Sequence, residues 1–410
     1  DPTMIDALTG WAAALRMRAN IEDDKTADHL LSQALDKYVA ILVVKPDSHS
    51  ALRSMGEVLS EIANYKTPKV AAKYYVQAQQ KFEDAIVIKP NDHETYYEWG
   101  WCLIGQATFG QAPSIPKPGP AELLILAREK FEAALLAKPG DARTLVALGT
   151  ALSDLAANKI GREANRLYAE AHRHFAAALK IKPDSAYTLR IWSNMLQGQA
   201  DNTFDDDKRW LLLEEAIDKA KAAHAIAPDD SRALYSWGHA LFQKSQRRIG
   251  KEQIQLLRAA QEKFEQSISI DPNNHLPHFY CGHTLLLQAS LVYDIAIDER
   301  VSQAERCLAE AVRLCPRDFH AVHSWGQALH ELAKARSTRK ANKRKLLAQA
   351  MDKYSEVAAW KPDHHEALHD WGRALSDLAS LAVGVEADRL TRLAHEKYAA
   401  AKIVRTGKSA

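Results

Sequence analysis

Histidine is the residue type in this chain whose placement most invites a chemical reading. Five of the seventeen precede residue 201, while His239, His275, His278, His283, His320, His323, His330, His364, His365 and His369 crowd one later stretch. Imidazole can ligate a metal, carry a proton near neutral pH or hydrogen-bond a guest. Metal binding calls for ligand pairs at helical spacing beside a carboxylate. No convincing pair stands out, so neither a metal nor any other cofactor is expected. A polar groove with imidazoles as hydrogen-bonding contacts is the plainer reading, and a pH-sensitive grip on a ligand is its variant. Carboxylates such as Asp205, Asp206 and Asp207 or Glu214 and Glu215 read as solvated charge rather than acid/base pairs. Walker A, G-x-G-x-x-G, H-E-x-x-H and G-x-S-x-G patterns are absent, so no enzyme is expected. The cysteines, Cys102, Cys281, Cys307 and Cys315, form no C-x-x-C pair. That pattern suits a reducing compartment and an intracellular location, cytoplasmic or organelle-associated.

Charge offers one further candidate. Lys and Arg total 54 against 52 Asp and Glu, so the bulk charge favours neither nucleic acid nor acidic membranes. The densest run lies between Lys334 and Lys345, where Arg336, Arg339, Lys340, Lys343, Arg344 and Lys345 form a basic patch. Such a patch attracts RNA or another anionic ligand. No stacking aromatics accompany it, which weakens the case for single-stranded nucleic acid. No apolar run approaches the ~20 residues that a membrane span requires, so no span is expected.

The elements that must position these residues are set by a repeat. Pro46, Pro90, Pro139, Pro183, Pro228, Pro272, Pro316 and Pro362 recur at intervals of 44, 49, 44, 45, 44, 44 and 46 residues. Each follows a helical stretch and precedes a short polar cap, so one helix ends and the next begins there. Ten residues after the proline stands a glycine, at 56, 100, 149, 238, 282, 326 and 372, with Ser193 as the exception. Glycine within a helix costs roughly 1 kcal/mol against alanine, so its recurrence implies close approach of a paired helix. A bulky residue precedes it, Trp99, Trp192, Trp237, Trp325 or Trp371 in five copies, and is expected to be a core knob. Twelve residues before every proline lies an alanine, from Ala34 to Ala350, with a further copy at Ala394. Four residues on comes an aromatic in most copies: Tyr38, Phe82, Phe131, Phe175, Phe264, Tyr354 and Tyr398. Alanine and aromatic share one helical face.

This signature resembles the tetratricopeptide repeat (TPR) in the order and spacing of its small, aromatic and proline positions. The resemblance runs from about Met4 to Val404 and implies an all-α, right-handed α-solenoid of about nine antiparallel helix pairs. Residues 1–410 are accordingly expected to form a single superhelical repeat domain. Its pairs end near Pro46, Pro90, Pro139, Pro183, Pro228, Pro272, Pro316, Pro362 and Val404. An ordinary repeat of this family has 34 residues, whereas the period here is about 44. The excess falls at the hairpin tip, marked by Pro68, Gly161, Gly250 and Gly384, each 22 residues past its proline. Both helices are expected to be about five residues longer, ~7 Å at 1.5 Å per residue. The third hairpin adds a proline-rich insert from Gly110 to Pro120. Lengthened pairs with Trp-Gly in the first helix are similar to those of the plant-type mitochondrial outer-membrane presequence receptor. The relevant stretches are Trp99-Gly100 to Phe131 and Trp371-Gly372 to Tyr398. That receptor has few repeats and a membrane anchor, neither of which is matched here.

In solenoids of this class the first helices line the concave surface. The register therefore brings Tyr235, His239, Phe242, Phe279, His283, His323 and His369 to one concave ligand-binding groove, with Leu286 beside them. The residue after the glycine is Glu57, Trp101, Thr150, His239, His283, Gln327 or Arg373, with Asn194 the only asparagine, so a carboxylate clamp for chaperone tails is not expected. The expected function is a scaffold or adaptor that binds a peptide segment or partner protein. An RNA-binding helical array and a regulatory domain of a larger protein are the alternatives.

Overall fold

The computed structural model describes residues 2–22, 24–109, 118–291, 297–315, 318–334 and 340–406. Every regular element among them is an α-helix, and the chain divides into two compact units, Asp1–Asn202 and Thr203–Ala410. The first unit holds α1 (Pro2–Ala19), α2 (Asp24–Val44), α3 (His49–Ala63), α4 (Pro68–Ile88), α5 (His93–Phe109), α6 (Pro120–Ala137), α7 (Ala142–Ala157), α8 (Gly161–Ile181) and α9 (Ala186–Asp201). The second holds α10 (Asp206–Ile226), α11 (Ser231–Ser245), α12 (Gly250–Ile270), α13 (His275–Leu291), α14 (Ile297–Leu314), α15 (Phe319–Lys334), α16 (Lys340–Trp360), α17 (His365–Leu381) and α18 (Val385–Thr406). Most of the proline-rich insert, residues 110–117, lies outside the described residues.

The helix boundaries follow from the punctuation read in the sequence. α2 stops at Val44, two residues before Pro46, and α4, α8, α10 and α12 stop two residues before Pro90, Pro183, Pro228 and Pro272. Proline disfavours the α conformation in the residue before it. The next helix opens on a polar cap. Asp92 accepts the Thr95 N–H at 3.0 Å and its hydroxyl at 2.7 Å, and Asp141 does the same for Thr144. Burial pushes the Asp92 carboxyl up, but hydrogen bonds from Lys89 and Thr95 overcome it and leave it at about 2. At the hairpin tips Pro68 opens α4, while Gly161 and Gly250 open α8 and α12 at φ of 65° and 68°, a backbone region that favours glycine.

Within most pairs, glycine and aromatic meet. A Cβ built on Gly100 would stand 2.5 Å from the Phe131 ring, and one on Gly238 2.8 Å from Phe264. Gly326 and Gly372 face Tyr354 and Tyr398 in the same way, and Gly282 faces Leu308. The helical glycines are therefore kept by packing rather than by backbone angle. The rings they admit form the core: Phe82, Phe131, Phe175, Phe264 and Tyr354 are fully buried, as are the alanines one turn before them.

The tryptophans correct the expectation of core knobs. Trp192 is buried, but Trp99, Trp237, Trp325 and Trp371 are only half-buried. A lysine from the paired helix covers each of these four. Lys130 lies 3.6 Å from the Trp99 ring centroid, Lys263 4.5 Å from Trp237, Lys353 4.2 Å from Trp325 and Lys397 3.7 Å from Trp371. Each lysine immediately precedes the core aromatic, so one helical turn buries its ring and lays its ammonium stem over the neighbouring indole.

Candidate functional site

The first helices of the second unit, α11, α13, α15 and α17, carry the histidine-rich positions. Their geometry repeats. The residue two before the glycine of one first helix meets the residues three before and one after the glycine of the preceding first helix. On α13 that residue is Tyr280, whose ring lies 5.8 Å from Tyr235 and 4.5 Å from His239 on α11. On α17 it is Asp370, which accepts from His323 Nε2 at 3.1 Å and Gln327 Nε2 at 2.8 Å on α15.

Tyr280 is the hub that sequence reasoning missed. Its ring also contacts Phe242 at 5.5 Å, Phe264 at 5.8 Å and Phe279 at 4.9 Å. His283 packs against Phe242 at 5.2 Å and Phe279 at 5.9 Å. The structure therefore brings together Tyr235, His239, Phe242, Phe279 and His283, five of the seven expected groove residues. Phe242 and Phe279 are buried, as is Leu286, so these three pack between helices more than they face a guest. Burial drives both His239 and His283 down to about 4, which leaves them neutral near pH 7. Burial and the neighbouring Tyr280 phenol push Tyr235 up.

His323 and His369 belong to a second group. His323 is buried against Asp370, and its ring lies 5.0 Å from His364. His369 is exposed and touches Tyr398 at 5.4 Å. Burial opposes ionisation of Asp370, yet the bonds from His323 and Gln327 hold its carboxyl at about 2. Among the described residues His323, His364 and Glu366 place potential ligand atoms within 4.8 Å of one another. However, His364 Nδ1 accepts the Ala367 N–H at 3.1 Å and caps α17. A neutral ring so engaged carries its proton on Nε2, the wrong form for a metal ligand. A metal held through His364 would have to displace that cap.

Two recesses adjoin the first helices. One of about 270 Å³ in the second unit is lined by His283, Gln327, Tyr354, Asp370 and Arg373 among others. One of about 320 Å³ in the first unit is acidic, with Glu57, Glu61 and Glu98 on its walls. Burial and the charges of Glu57 and Glu94 raise Glu98 to about 7. Arg16 neutralises the other two, reaching Glu57 at 2.7 Å and Glu61 at 2.5 Å.

Of the basic patch, Arg336 and Arg339 lie outside the described residues, as does the side chain of Lys340. Lys345 and Arg344 are exposed and Lys343 is half-buried. The Arg344 guanidinium donates to the Leu381 carbonyl, so this cation is partly engaged in holding α16 against the end of α17. Among the described residues no helix is long and apolar enough to cross a membrane.

Comparison with known proteins adds a local family match and distant structural likenesses. Residues 207–313 match the model for the plant-specific mitochondrial import receptor subunit TOM20. Among solved structures, the TPR protein YrrB, described as having an unusual peptide-binding site, is 17% identical at a TM-score of 0.36, covering 57% of this chain and 97% of its own. The human IFIT1 dimer with PPP-AAAA is 13% identical at 0.49, over 94% of this chain and 87% of that one. PilF of Pseudomonas aeruginosa is 14% identical at 0.44, over 70% of this chain and all of the other. The matched segment contains the Tyr235, Tyr280 and His283 cluster. The chain is thus an all-α, TPR-like repeat protein whose residues 207–313 carry a likeness to the plant TOM20 receptor family.

Proposed function

We propose that this protein is a non-catalytic interaction scaffold that binds a peptide segment or partner protein on the first-helix face of α11, α13, α15 and α17. The observation that carries the reading is the aromatic and imidazole cluster around Tyr280. It combines half-buried Tyr235 and Tyr280 with two histidines kept neutral by burial, inside the segment that matches an import-receptor family. Aromatic anchors in partly desolvated surroundings are the groups that most often dominate interface energies. In this reading the protein is intracellular, cytoplasmic or organelle-associated.

The test replaces Tyr280 with serine, the residue found at the same position of the flanking repeats as Ser236 and Ser324. Wild type and Tyr280→Ser are used to purify partners from the native source, with and without nuclease. Quantitative mass spectrometry should show a partner lost from the variant and insensitive to nuclease. Equal recovery of every partner by both proteins would refute the groove. RNA or another anionic ligand at Lys343, Arg344 and Lys345 is the second reading, favoured by the exposure of the latter two. It predicts instead that nuclease removes the partners and that glutamine at these three positions does the same.

A further inference from the structure

The recess in the second unit contains a polar atom that the fold leaves without a partner. Tyr354 is fully buried, yet its hydroxyl has no hydrogen bond among the described residues. Its ring occupies the core position that Phe82, Phe131, Phe175 and Phe264 fill elsewhere, so packing alone does not require the oxygen; tyrosine recurs there at Tyr38 and Tyr398, and the Tyr398 hydroxyl lies 3.5 Å from Ser376 Oγ. An orphaned buried hydroxyl costs about as much as a lost hydrogen bond, or more. Tyr354 is also among the residues that line the recess of about 270 Å³.

The other groups lining the recess restrict what can enter it. His283 makes ring contacts but no hydrogen bond among the described residues, and burial keeps it neutral, so it offers one donor and one acceptor. Gln327 spends its Nε2 on Asp370 and retains its carbonyl oxygen. The charged groups satisfy one another: Asp370 takes His323, Gln327 and Arg373, and Glu331 takes Lys334. What remains is a set of uncharged groups able both to give and to take hydrogen bonds. Asp370, Glu331 and Arg373 are engaged with one another and with Lys334, so no charged group is left over to hold an ion. The volume falls below the usual range for small-molecule pockets and suits a single residue.

We propose that this recess is a carboxamide subsite, where Tyr354 and His283 hydrogen-bond the amide of a peptide residue lying across α13, α15 and α17. It rests on the partner-binding reading of the first-helix face and names the group recognised there. The amide comes either from the peptide backbone or from an asparagine or glutamine side chain.

The full chain labelled with 15N-histidine tests it. N-methylacetamide stands for the backbone amide, propionamide for the side chain, and acetate and methylammonium serve as charged controls. The His283 imidazole signal, assigned by its loss in His283→Gln, should shift saturably with an amide and not with either ion. The stronger of the two amides identifies the source. Tyr354→Phe, which matches four of the sibling helices, should keep the melting temperature and weaken amide binding by about threefold to tenfold, one hydrogen bond's worth. An unchanged amide titration in Tyr354→Phe, or an equal response to acetate, would overturn the subsite and leave the hydroxyl to water. Amide binding that survives while Tyr280→Ser loses no partner would sink only the partner surface. A flat amide titration with partner loss intact would sink only the subsite.

Discussion

Lowering the pH from 7 to 5 should destabilise the second unit through His239 and His283. Both imidazoles are lowered from 6.5 to about 4 because the rings around them exclude water. The unfolded chain therefore takes up protons at pH values where the folded one does not. The stability these groups confer is complete above the unfolded value of 6.5 and drains away as pH falls toward 4. At pH 5 the loss relative to pH 7 is about 2 kcal/mol per ring, or roughly 4 kcal/mol for both. That is a large share of the ~5 to 15 kcal/mol typical of a domain. His49, His174 and His364 are lowered too, so the effect must be isolated. Urea unfolding at both pH values, for wild type and for His239→Phe with His283→Phe, provides the difference. Phenylalanine keeps an aromatic ring against Tyr235, Tyr280 and Phe279 without a titrating group. The variant should lose several kcal/mol less than wild type on acidification. A pH dependence that matches wild type within about 0.5 kcal/mol would refute the argument that burial holds these imidazoles neutral.

The division of labour within a helix pair can be weighed by mutation. Phe264→Ala should cost roughly 3 to 5 kcal/mol, the usual range for a fully buried aromatic. Trp371→Ala should cost only about 1 to 2 kcal/mol, since the indole is half-buried and adds one stack under Lys397. Equal losses in chemical denaturation would mean that tryptophan is a core knob after all. Thiol chemistry probes a pair built differently, with cysteines at both positions. The hydrogen bond from Cys281 lowers the Cys307 thiol while raising that of Cys281. Iodoacetamide under native conditions should therefore modify Cys307 ahead of Cys281 and Cys102, with peptide mapping as the readout. Simultaneous alkylation of all three would contradict the pairing.

Much of the fold is legible because a repeat states its packing rules many times over. The proline interval fixed where helices end, since the ring acts on the residue before it wherever it occurs. The glycine-to-aromatic partnership was inferable from recurrence alone, because a helix tolerates glycine only under compensation. The tryptophans misled for a definite reason. Bulk at helical spacing next to a buried glycine looks like a knob, and the lysine that covers each indole lies about 26 to 31 residues away on the paired helix. Nothing in the first helix itself reveals that cover.

The site was legible only in part, for a related reason. Positions three before and one after the glycine were read along single helices, which found Tyr235, His239, Phe279, His283 and His323. The contact that organises them runs between consecutive first helices, about 44 residues apart, through the position two before the glycine. Ser236 and Ser324 occupy that position on α11 and α15, so Tyr280 and Asp370 are departures that a register alignment exposes. Tyr354 departs from Phe264 by one oxygen, and Cys281 with Cys307 stand where other pairs place tryptophan and lysine. In a chain whose common residues are all explained by packing, a residue that packing does not require needs another cause. Tyr354 makes the case most sharply: phenylalanine fills the same space in four sibling pairs, and where tyrosine recurs at Tyr398 its hydroxyl lies 3.5 Å from Ser376 Oγ, whereas that of Tyr354 has no partner among the described residues. Its hydroxyl is stabilising only if something in the recess completes it.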